Sequence, residues 1–418
     1  MVLASFSGIS DGSGIFGDDV ADAVLDENDE PSALAYCEAC ASLKAIRCSQ
    51  WQRACLSQAP EVSLNHYGLG KVGAEALALS LKKNSHVQGL DLSDNGLGPE
   101  GTTSILKALT VKGGAPSVRL LTLRQNKCGQ DGAEAIRELL RSQHPLESLD
   151  VAANELCTKG AQTIAESLGS NTSLTSLCLE HNELESEAVD ALAKALGTNR
   201  SLTTLSLEWN TIGPPGAQSL ADLLHQGGSS LVTLNLGWNG LGDSGVRCLA
   251  QAIEQQPADG ALRDVRLHHN RMTADAAVPL AKCLRVLDVL DVSGNALGAS
   301  GAAVLLLAQQ DLRKRAADAT GGDGEGHHCQ LMMEDVCVRP DTALAGLVMR
   351  AAAGEEIIAG ELQAGGVHAA AAIAKKAVGV AAEPKNASRN TMVKKAEPPA
   401  AAGGAKPKAK GVKGKTKK

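Results

Sequence analysis

The sequence predicts an α/β solenoid, in which a curved parallel sheet lines the inside, helices cover the outside and about nine repeats of 28 to 29 residues follow one another. Three observations predict it: a recurring asparagine frame, alternating apolar residues before each asparagine and a helical apolar stripe after it. The repeats are expected from about Val62 to about Leu312, and the bounds predicted for the solenoid domain are residues 61–317. Only 2% of the 418 residues are aromatic and 44% are hydrophobic, so leucine and alanine must form the core.

The asparagine frame is clearest in the fifth repeat. Leu174, Leu177 and Leu179 precede Asn182, and Leu184 follows it. The same frame recurs at Asn95, Asn126, Asn154, Asn210, Asn239, Asn270 and Asn295, and an earlier copy has Val62, Leu64 and Leu69 around Tyr67. The steps from Asn126 to Asn210 are each 28 residues, and the outer steps range from 25 to 31. Chance does not produce nine such copies.

Each repeat is predicted to run from strand to turn to helix. The alternation of Leu205, Ser206 and Leu207 is typical of a short strand with one buried face. The asparagine side chain can then bond main-chain groups in the turn, which is a structural role. A glycine follows six residues after most of the asparagines, as Gly101, Gly132, Gly160, Gly216, Gly245 and Gly301, and is expected to let the helix start close to the strand layer. The helical stripe of the fifth repeat is Ala188, Leu192, Ala193 and Leu196.

Two segments resemble the ribonuclease-inhibitor-like class of leucine-rich repeats: LTSLCLEHNEL, from Leu174 to Leu184, and LTTLSLEWNTI, from Leu202 to Ile212. This class includes the GTPase activators of Ran and several ciliary scaffold proteins. The resemblance covers about 250 of the 418 residues. It implies the fold and a protein-binding role, but it does not identify a partner.

The N-terminal region is predicted to have two parts. Residues 1–30 are acidic and are expected to be flexible, whereas residues 31–60 fit a helical cap over the first repeat. Cys37, Cys48 and Cys55 lie near one apolar helical face of this cap, and Cys40 forms a CxxC pair with Cys37. A zinc site is one interpretation, but cysteines on such a face are usually buried core residues, and we predict no metal.

The C-terminal region is predicted to begin with a linker and helical segment over residues 318–382, either a cap or a docking arm, with a strand near Gln330. Residues 383–418 contain ten Lys and one Arg against two Glu and almost no large apolar residue, which is typical of a disordered segment. This tail is either a solubilising extension or a tether to an acidic surface, for which tubulin is one candidate. It has no aromatic residue to stack on bases, so sequence-specific nucleic acid is not expected. The tether lysines are Lys394, Lys395, Lys406, Lys408, Lys410, Lys413, Lys415, Lys417 and Lys418.

The partner-binding surface is predicted on the concave face, at positions four, two and one before each asparagine. Two of the three tryptophans, Trp209 and Trp238, occupy the same position in adjacent repeats. An aromatic pair with a charged rim has the composition of an interface hot spot. The alternative is that both indoles fold over the turn and cover the solenoid edge. The predicted contact residues are Arg124, Glu180, His181, Glu208, Trp209, Trp238, Arg266, His268 and His269. A metal at His268 and His269 is not expected, because adjacent strand residues diverge.

The sequence offers no catalytic motif in a strand–turn–helix context, so we predict neither an enzyme nor a cofactor. The predicted function is a protein-binding scaffold or adaptor, in a ciliary or cytoskeletal assembly. The alternative is a GTPase activator resembling the Ran family. Against it, the tail here is basic where that family has an acidic one, and the first repeat, NHYGLGKVG, lacks the arginine usual there.

A cytoplasmic location is expected. No window approaches the roughly 20 apolar residues of a membrane span, and no basic residue precedes the mildly apolar stretches near the N-terminus. The eleven cysteines are an odd number and are scattered through the chain, which fits a reducing compartment.

Overall fold

The computed structural model describes residues 29–110, 117–142, 144–227, 229–256, 260–320 and 329–335. The predicted acidic segment up to residue 28, most of the 318–382 segment and the basic tail therefore lie outside the described residues. The helical cap, the repeats and the site residues predicted on the concave face lie within them.

The strands form one sheet in which every neighbour is parallel and the spatial order follows the sequence. Equivalent leucines pair in register, as Leu149 with Leu177 and Leu177 with Leu205. The predicted α/β solenoid is confirmed. The strands are β1 Glu61–Ser63, β2 Gly89–Asp91, β3 Leu120–Thr122, β4 Ser148–Asp150, β5 Ser176–Cys178, β6 Thr204–Ser206, β7 Thr233–Asn235, β8 Asp264–Arg266, β9 Val289–Asp291 and β10 Gln330–Met332.

Two helices precede the first strand, and the later helices follow the strands in turn. They are α1 Pro31–Leu43, α2 Ser49–Leu56, α3 Gly70–Leu81, α4 Gly98–Leu109, α5 Gly129–Arg141, α6 Cys157–Leu168, α7 Ser186–Leu196, α8 Gly213–Gln226, α9 Gly242–Glu254, α10 Ala277–Cys283 and α11 Gly298–Thr320. A short 3-10 helix, Ala274–Ala276, leads into α10. Strand β10 pairs with β9 and extends the sheet beyond the nine repeats recognised in the sequence.

The glycines at the helix starts lie in close contact on two sides. A Cβ atom added to Gly101 would lie 3.1 Å from the Cβ atom of Ala74 in the preceding helix. One added to Gly216 would lie 2.3 Å from Cγ2 of Ile212, the apolar residue just before the same helix. The small residue therefore allows neighbouring helices to approach each other and leaves room for the apolar residue that precedes its own helix.

The repeat asparagines form a buried hydrogen-bonded ladder, in agreement with the structural role expected of them. Asn182 Oδ1 accepts from the backbone N–H groups of Asn154 at 3.0 Å and Leu156 at 3.3 Å. Its Nδ2 group donates to the carbonyl of Val151 at 3.0 Å. Each asparagine thus connects its own turn to that of the preceding repeat. This arrangement satisfies backbone groups that the short strands leave unpaired.

Helices α1 and α2 pack at the N-terminal end of the repeats. Trp51 is fully buried there, and its Nε1 group donates to Ser80 Oγ of α3 at 2.9 Å. Cys40, Cys48 and Cys55 belong to the same hydrophobic core and are free thiols, and burial raises the pKa of Cys55 to about 11. Within the described residues, no group of three His, Cys, Asp or Glu side chains is placed to hold a metal ion.

Candidate protein-binding surface

The strand geometry decides which side chains reach the concave face, the sheet surface opposite the helices. In β6, Leu205 is fully buried, and its neighbours Thr204 and Ser206 therefore point to the other side. The chain then continues into the turn through Leu207, which is buried, to Glu208 and Trp209. The same alternation in every repeat places equivalent side chains in rows that run across the sheet.

Four rings from consecutive repeats form what we call the aromatic ladder: His181, Trp209, Trp238 and His269. The indoles of Trp209 and Trp238 are stacked, with centroids 4.1 Å apart and planes inclined by 11°. His269 stacks on Trp238 at 4.0 Å, and His181 meets Trp209 edge-on at 6.1 Å. Trp209 and Trp238 remain 47% and 38% exposed. The two indoles therefore present a continuous apolar strip to solvent.

The backbone holds these rings in an uncommon conformation. All four directly precede the asparagine of their repeat, and all have a positive φ, between 53° and 55°. A non-glycine residue adopts this left-handed region only where the surrounding structure requires it. Because each ring leaves the turn with the same backbone geometry, the rings of adjacent repeats lie side by side. Trp209, Trp238 and His269 stack at distances below the strand spacing of about 4.8 Å.

Two glycines make room for the histidines of this surface. A Cβ atom at Gly237 would lie 2.2 Å from His268 Nε2, and one at Gly294 would lie 2.2 Å from His269 Cε1. Each imidazole therefore lies over the backbone of a neighbouring repeat. A side chain at either glycine position would displace the ring that lies there.

Arg124 is the centre of one charged cluster. Its Nη1 atom lies 2.9 Å from Asp150 Oδ2, and its Nη2 atom lies 3.1 Å from Glu180 Oε2. Ser206 Oγ donates to the other oxygen of Glu180 at 2.7 Å. Burial opposes the charge of Arg124, but Asp150 and Glu180 outweigh it and raise the pKa of the guanidinium. Burial and the same two carboxylates raise the pKa of the adjacent Cys178 thiol.

His268 is the centre of a second cluster. Its Nε2 atom lies 3.1 Å from Glu208 Oε1, and its Nδ1 atom lies 3.4 Å from Asp291 Oδ2, an ion-pair contact without hydrogen-bond geometry. Asp291 and Glu208 together raise the pKa of His268 to about 9, against the opposing effect of burial. His268 in turn lowers the pKa of Glu208, which also accepts a 2.8 Å hydrogen bond from Asn235 Nδ2. His268 is therefore a cation at neutral pH.

The asparagine ladder is interrupted where the two tryptophans stack. Asn239 Oδ1 is buried and accepts no hydrogen bond, whereas the corresponding atom of Asn182 accepts two. The turn after Asn210 differs because Thr211 does not adopt the positive φ found at the same position in Lys127, Glu155, Glu183 and Arg271. Instead, the N–H and Oγ1 of Thr211 both donate to the carbonyl of Leu184. A β-branched residue is poorly suited to the left-handed region, which accounts for the break.

The structure brings the predicted site residues into three groups: the aromatic ladder, the Arg124 cluster with Glu180, and the His268 cluster with Glu208. Arg266 pairs with Asp264 of its own strand at 3.1 Å, and its charge also helps to lower the pKa of Glu208 in the His268 cluster. The positions predicted for the surface, four, two and one before each asparagine, include Asp150, Asn235, Asp291, Gly237 and Gly294. The predicted contact residues did not include these five, because the sequence does not show which neighbours they meet.

A family model described as leucine-rich repeat matches the chain five times, at residues 83–106, 170–193, 198–221, 229–250 and 283–306. These matches coincide with strand-and-helix units of the solenoid. The chain is a leucine-rich-repeat protein. The leucine-rich-repeat architecture supports a general role as a protein-interaction scaffold.

Several solved structures resemble this leucine-rich-repeat protein. The leucine-rich-repeat-containing protein LegL7 from Legionella pneumophila is 17% identical, with 80% of this chain and 98% of LegL7 covered and a TM-score of 0.43. The actin-binding site 2 of leiomodin-1 is 15% identical, with 44% and 94% covered and a TM-score of 0.32. The TLR13 chain of a TLR13–ssRNA13 complex is 19% identical, with 54% of this chain but only 31% of TLR13 covered and a TM-score of 0.34. Among the helices of the described residues, none is long and apolar enough to span a membrane.

Proposed function

We propose that this leucine-rich-repeat protein is a non-enzymatic scaffold that binds a protein partner on its concave face, with Trp209 and Trp238 as the anchor. The observation that carries the proposal is the exposed stack of these two indoles, which is bordered by half-buried charged clusters. Exposed tryptophans at the centre of a surface, with a polar rim, are the composition found at interface hot spots.

The rigidity of the surface supports this proposal. Trp238 is held between Trp209 and His269, and the charged side chains beside the aromatic ladder are held by ion pairs between repeats. A partner would therefore meet side chains that are already ordered, and binding would cost less conformational entropy than binding to free rotamers.

The basic tail, residues 383–418, is proposed to add a second, salt-sensitive contact with an acidic surface such as that of tubulin. Its support is the excess of ten Lys and one Arg over two Glu. We propose a cytoplasmic scaffold in a ciliary or cytoskeletal assembly. The assignment to the ribonuclease-inhibitor-like class remains a prediction from the two repeat segments that resemble it.

A quantitative pull-down from source-cell extract tests this function. It compares the intact chain, Trp209→Ala/Trp238→Ala, and a Leu79→Ala control that truncates a 43%-exposed leucine of α3. The double variant should lose the main partner and remain folded by circular dichroism, while the control retains it. If a folded double variant binds as well as the intact chain, the anchor assignment is wrong. A chain ending at Ala382 measures the contribution of the tail in the same assay.

A further inference from the structure

We infer that the partner presents a basic segment to the concave face, with arginine or lysine side chains facing its carboxylates and the segment's main chain lying along the aromatic ladder. This inference rests on the proposed function, because it uses the same surface. It adds the chemistry of the partner, which neither the repeat frame nor the family model specifies.

The distribution of charge carries the inference. The concave face is formed by the residues six, four, two and one before each repeat asparagine, or at the equivalent positions of the first and last strands. These positions include ten carboxylates: Glu61, Asp91, Asp94, Asp150, Glu180, Glu208, Asp264, Asp291, Glu334 and Asp335. They include only two arginines, Arg124 and Arg266. With His268 as a third cation, the face has an excess of seven negative charges.

The rest of the described surface has no such excess. The structure describes the side chains of 31 carboxylates and 24 Lys or Arg residues. Removing those of the concave face leaves 21 carboxylates and 22 Lys or Arg residues elsewhere, which nearly balance. The acidic character of the described part of the chain is therefore confined to the concave face. A curved surface of one sign concentrates its field and attracts segments of the opposite charge.

The contacts within the face do not neutralise it. Arg124 and His268 are each shared between two carboxylates, so each cluster keeps a net negative charge. Asp91 accepts hydrogen bonds only from serines, Ser63 at 3.1 Å and Ser93 at 2.6 Å, among the described residues. Carboxylate oxygens of the concave face therefore remain available to accept charge-assisted hydrogen bonds from cationic side chains of a partner.

The aromatic ladder suits the main chain of such a segment. Stacking occupies both faces of the Trp238 indole, so its edge is what a partner would contact. Within the part of the chain that the structure describes, neither indole N–H of Trp209 or Trp238 takes part in a hydrogen bond. Both groups are thus available to donate to backbone carbonyls, while the acidic rows accept the basic side chains.

Fluorescence anisotropy with a labelled twelve-residue peptide of alternating arginine and alanine tests the inference on the full chain. The same peptide with glutamate in place of arginine is the charge control. Asp150→Asn/Glu180→Gln removes two charges around Arg124 on the concave face. The matched control, Glu134→Gln/Glu166→Gln, removes two charges around Arg137 on the outer helices. Arg137 pairs with Glu134 and Glu166 there as Arg124 pairs with two carboxylates on the concave face. Circular dichroism checks that each variant is folded.

The arginine peptide should bind and the glutamate peptide should not. The concave variant should weaken arginine-peptide binding roughly tenfold, as expected for two charges near a bound cation, and the helix variant less than twofold. Equal losses in the two variants, or equal binding of the two peptides, would overturn the inference. If the partner captured from source-cell extract still requires Trp209 and Trp238 for binding in that case, the scaffold function stands and only the basic character inferred for the partner is wrong.

Discussion

Gly237→Ala is the substitution that most directly tests how the concave face is held together. The added Cβ atom would lie 2.2 Å from His268 Nε2, so the imidazole must move. The backbone of Gly237 does not require a positive φ, and alanine itself is therefore tolerated there. The expected damage is confined to the contacts that His268 makes with Glu208 and Asp291.

The size of the effect follows from linkage. The pKa of His268 is raised to about 9 in the folded protein, from roughly 6.5 in an unfolded chain. A raised pKa gives stability that is fully present below the unfolded value and is lost as the pH rises through the folded value. The imidazole side chain is only 16% exposed, so solvent screening reduces the contribution moderately. The free energy of unfolding should therefore include on the order of 2 to 3 kcal/mol from His268 at pH 6, and almost none at pH 10.

Urea denaturation at pH 6, 7 and 10 measures this difference. Gly237→Ala should lower the free energy of unfolding by about 2 kcal/mol at pH 6 and by much less at pH 10. In a His268→Ala background, the same substitution should cost almost nothing, because the Cβ atom no longer displaces a ring. Additive effects of the two substitutions, or a loss that does not depend on pH, would refute the reasoning.

Three further predictions concern other parts of the solenoid. In urea denaturation, Asn182→Ala should reduce the free energy of unfolding by about 1 to 3 kcal/mol more than Asn239→Ala. The reason is that Asn182 Oδ1 accepts two hydrogen bonds and Asn239 Oδ1 accepts none. Equal losses would show that the interruption of the asparagine ladder has no energetic effect. Trp209→Ala should lower the free energy of unfolding by about 1 to 2 kcal/mol although Trp209 is exposed, because the substitution removes the indole stack. The control Val232→Ala, at a 38%-exposed position, should change it by less than about 0.5 kcal/mol. Among the described cysteines, Cys157 should be alkylated first by iodoacetamide at pH 8, since the others are at least partly buried. Peptide mass spectrometry locates the label. Earlier labelling of a buried cysteine would contradict the packing of the core.

The repeat frame made most of the fold predictable. The positions of the buried leucines and the asparagines specify strand, turn and helix locally, and identical units must stack to bury their apolar faces. Strand β10 was less visible, because it lies past the last recognisable asparagine and has only the pairing with β9 to identify it. The interruption at Asn239 was also hidden, since it results from the conformation of Thr211 in the preceding repeat.

The candidate surface was predictable in position but not in its contacts. Equivalent positions in adjacent repeats must lie side by side, and this was enough to bring Trp209 and Trp238 together. The contact of His268 with Glu208 spans two repeats and depends on the missing side chain of Gly237 between them. A glycine in a frame position does not indicate which neighbouring side chain will occupy the space beside it, so the sequence alone does not predict this contact.

The residues proposed to bind the partner also connect the repeats at the weakest point of the asparagine ladder. The stability of a solenoid is approximately the sum of its repeats and of the interfaces between neighbours, so the unpaired Oδ1 of Asn239 weakens the interface between the repeats of β6 and β7. Across the same interface, Trp209 stacks on Trp238 and Glu208 accepts from Asn235. A basic segment that binds to Glu208 would therefore act on one of the side-chain contacts that replace the missing ladder bonds. Binding at the aromatic ladder and local opening between these two repeats should consequently be coupled, while the uninterrupted repeats on either side serve as a rigid frame.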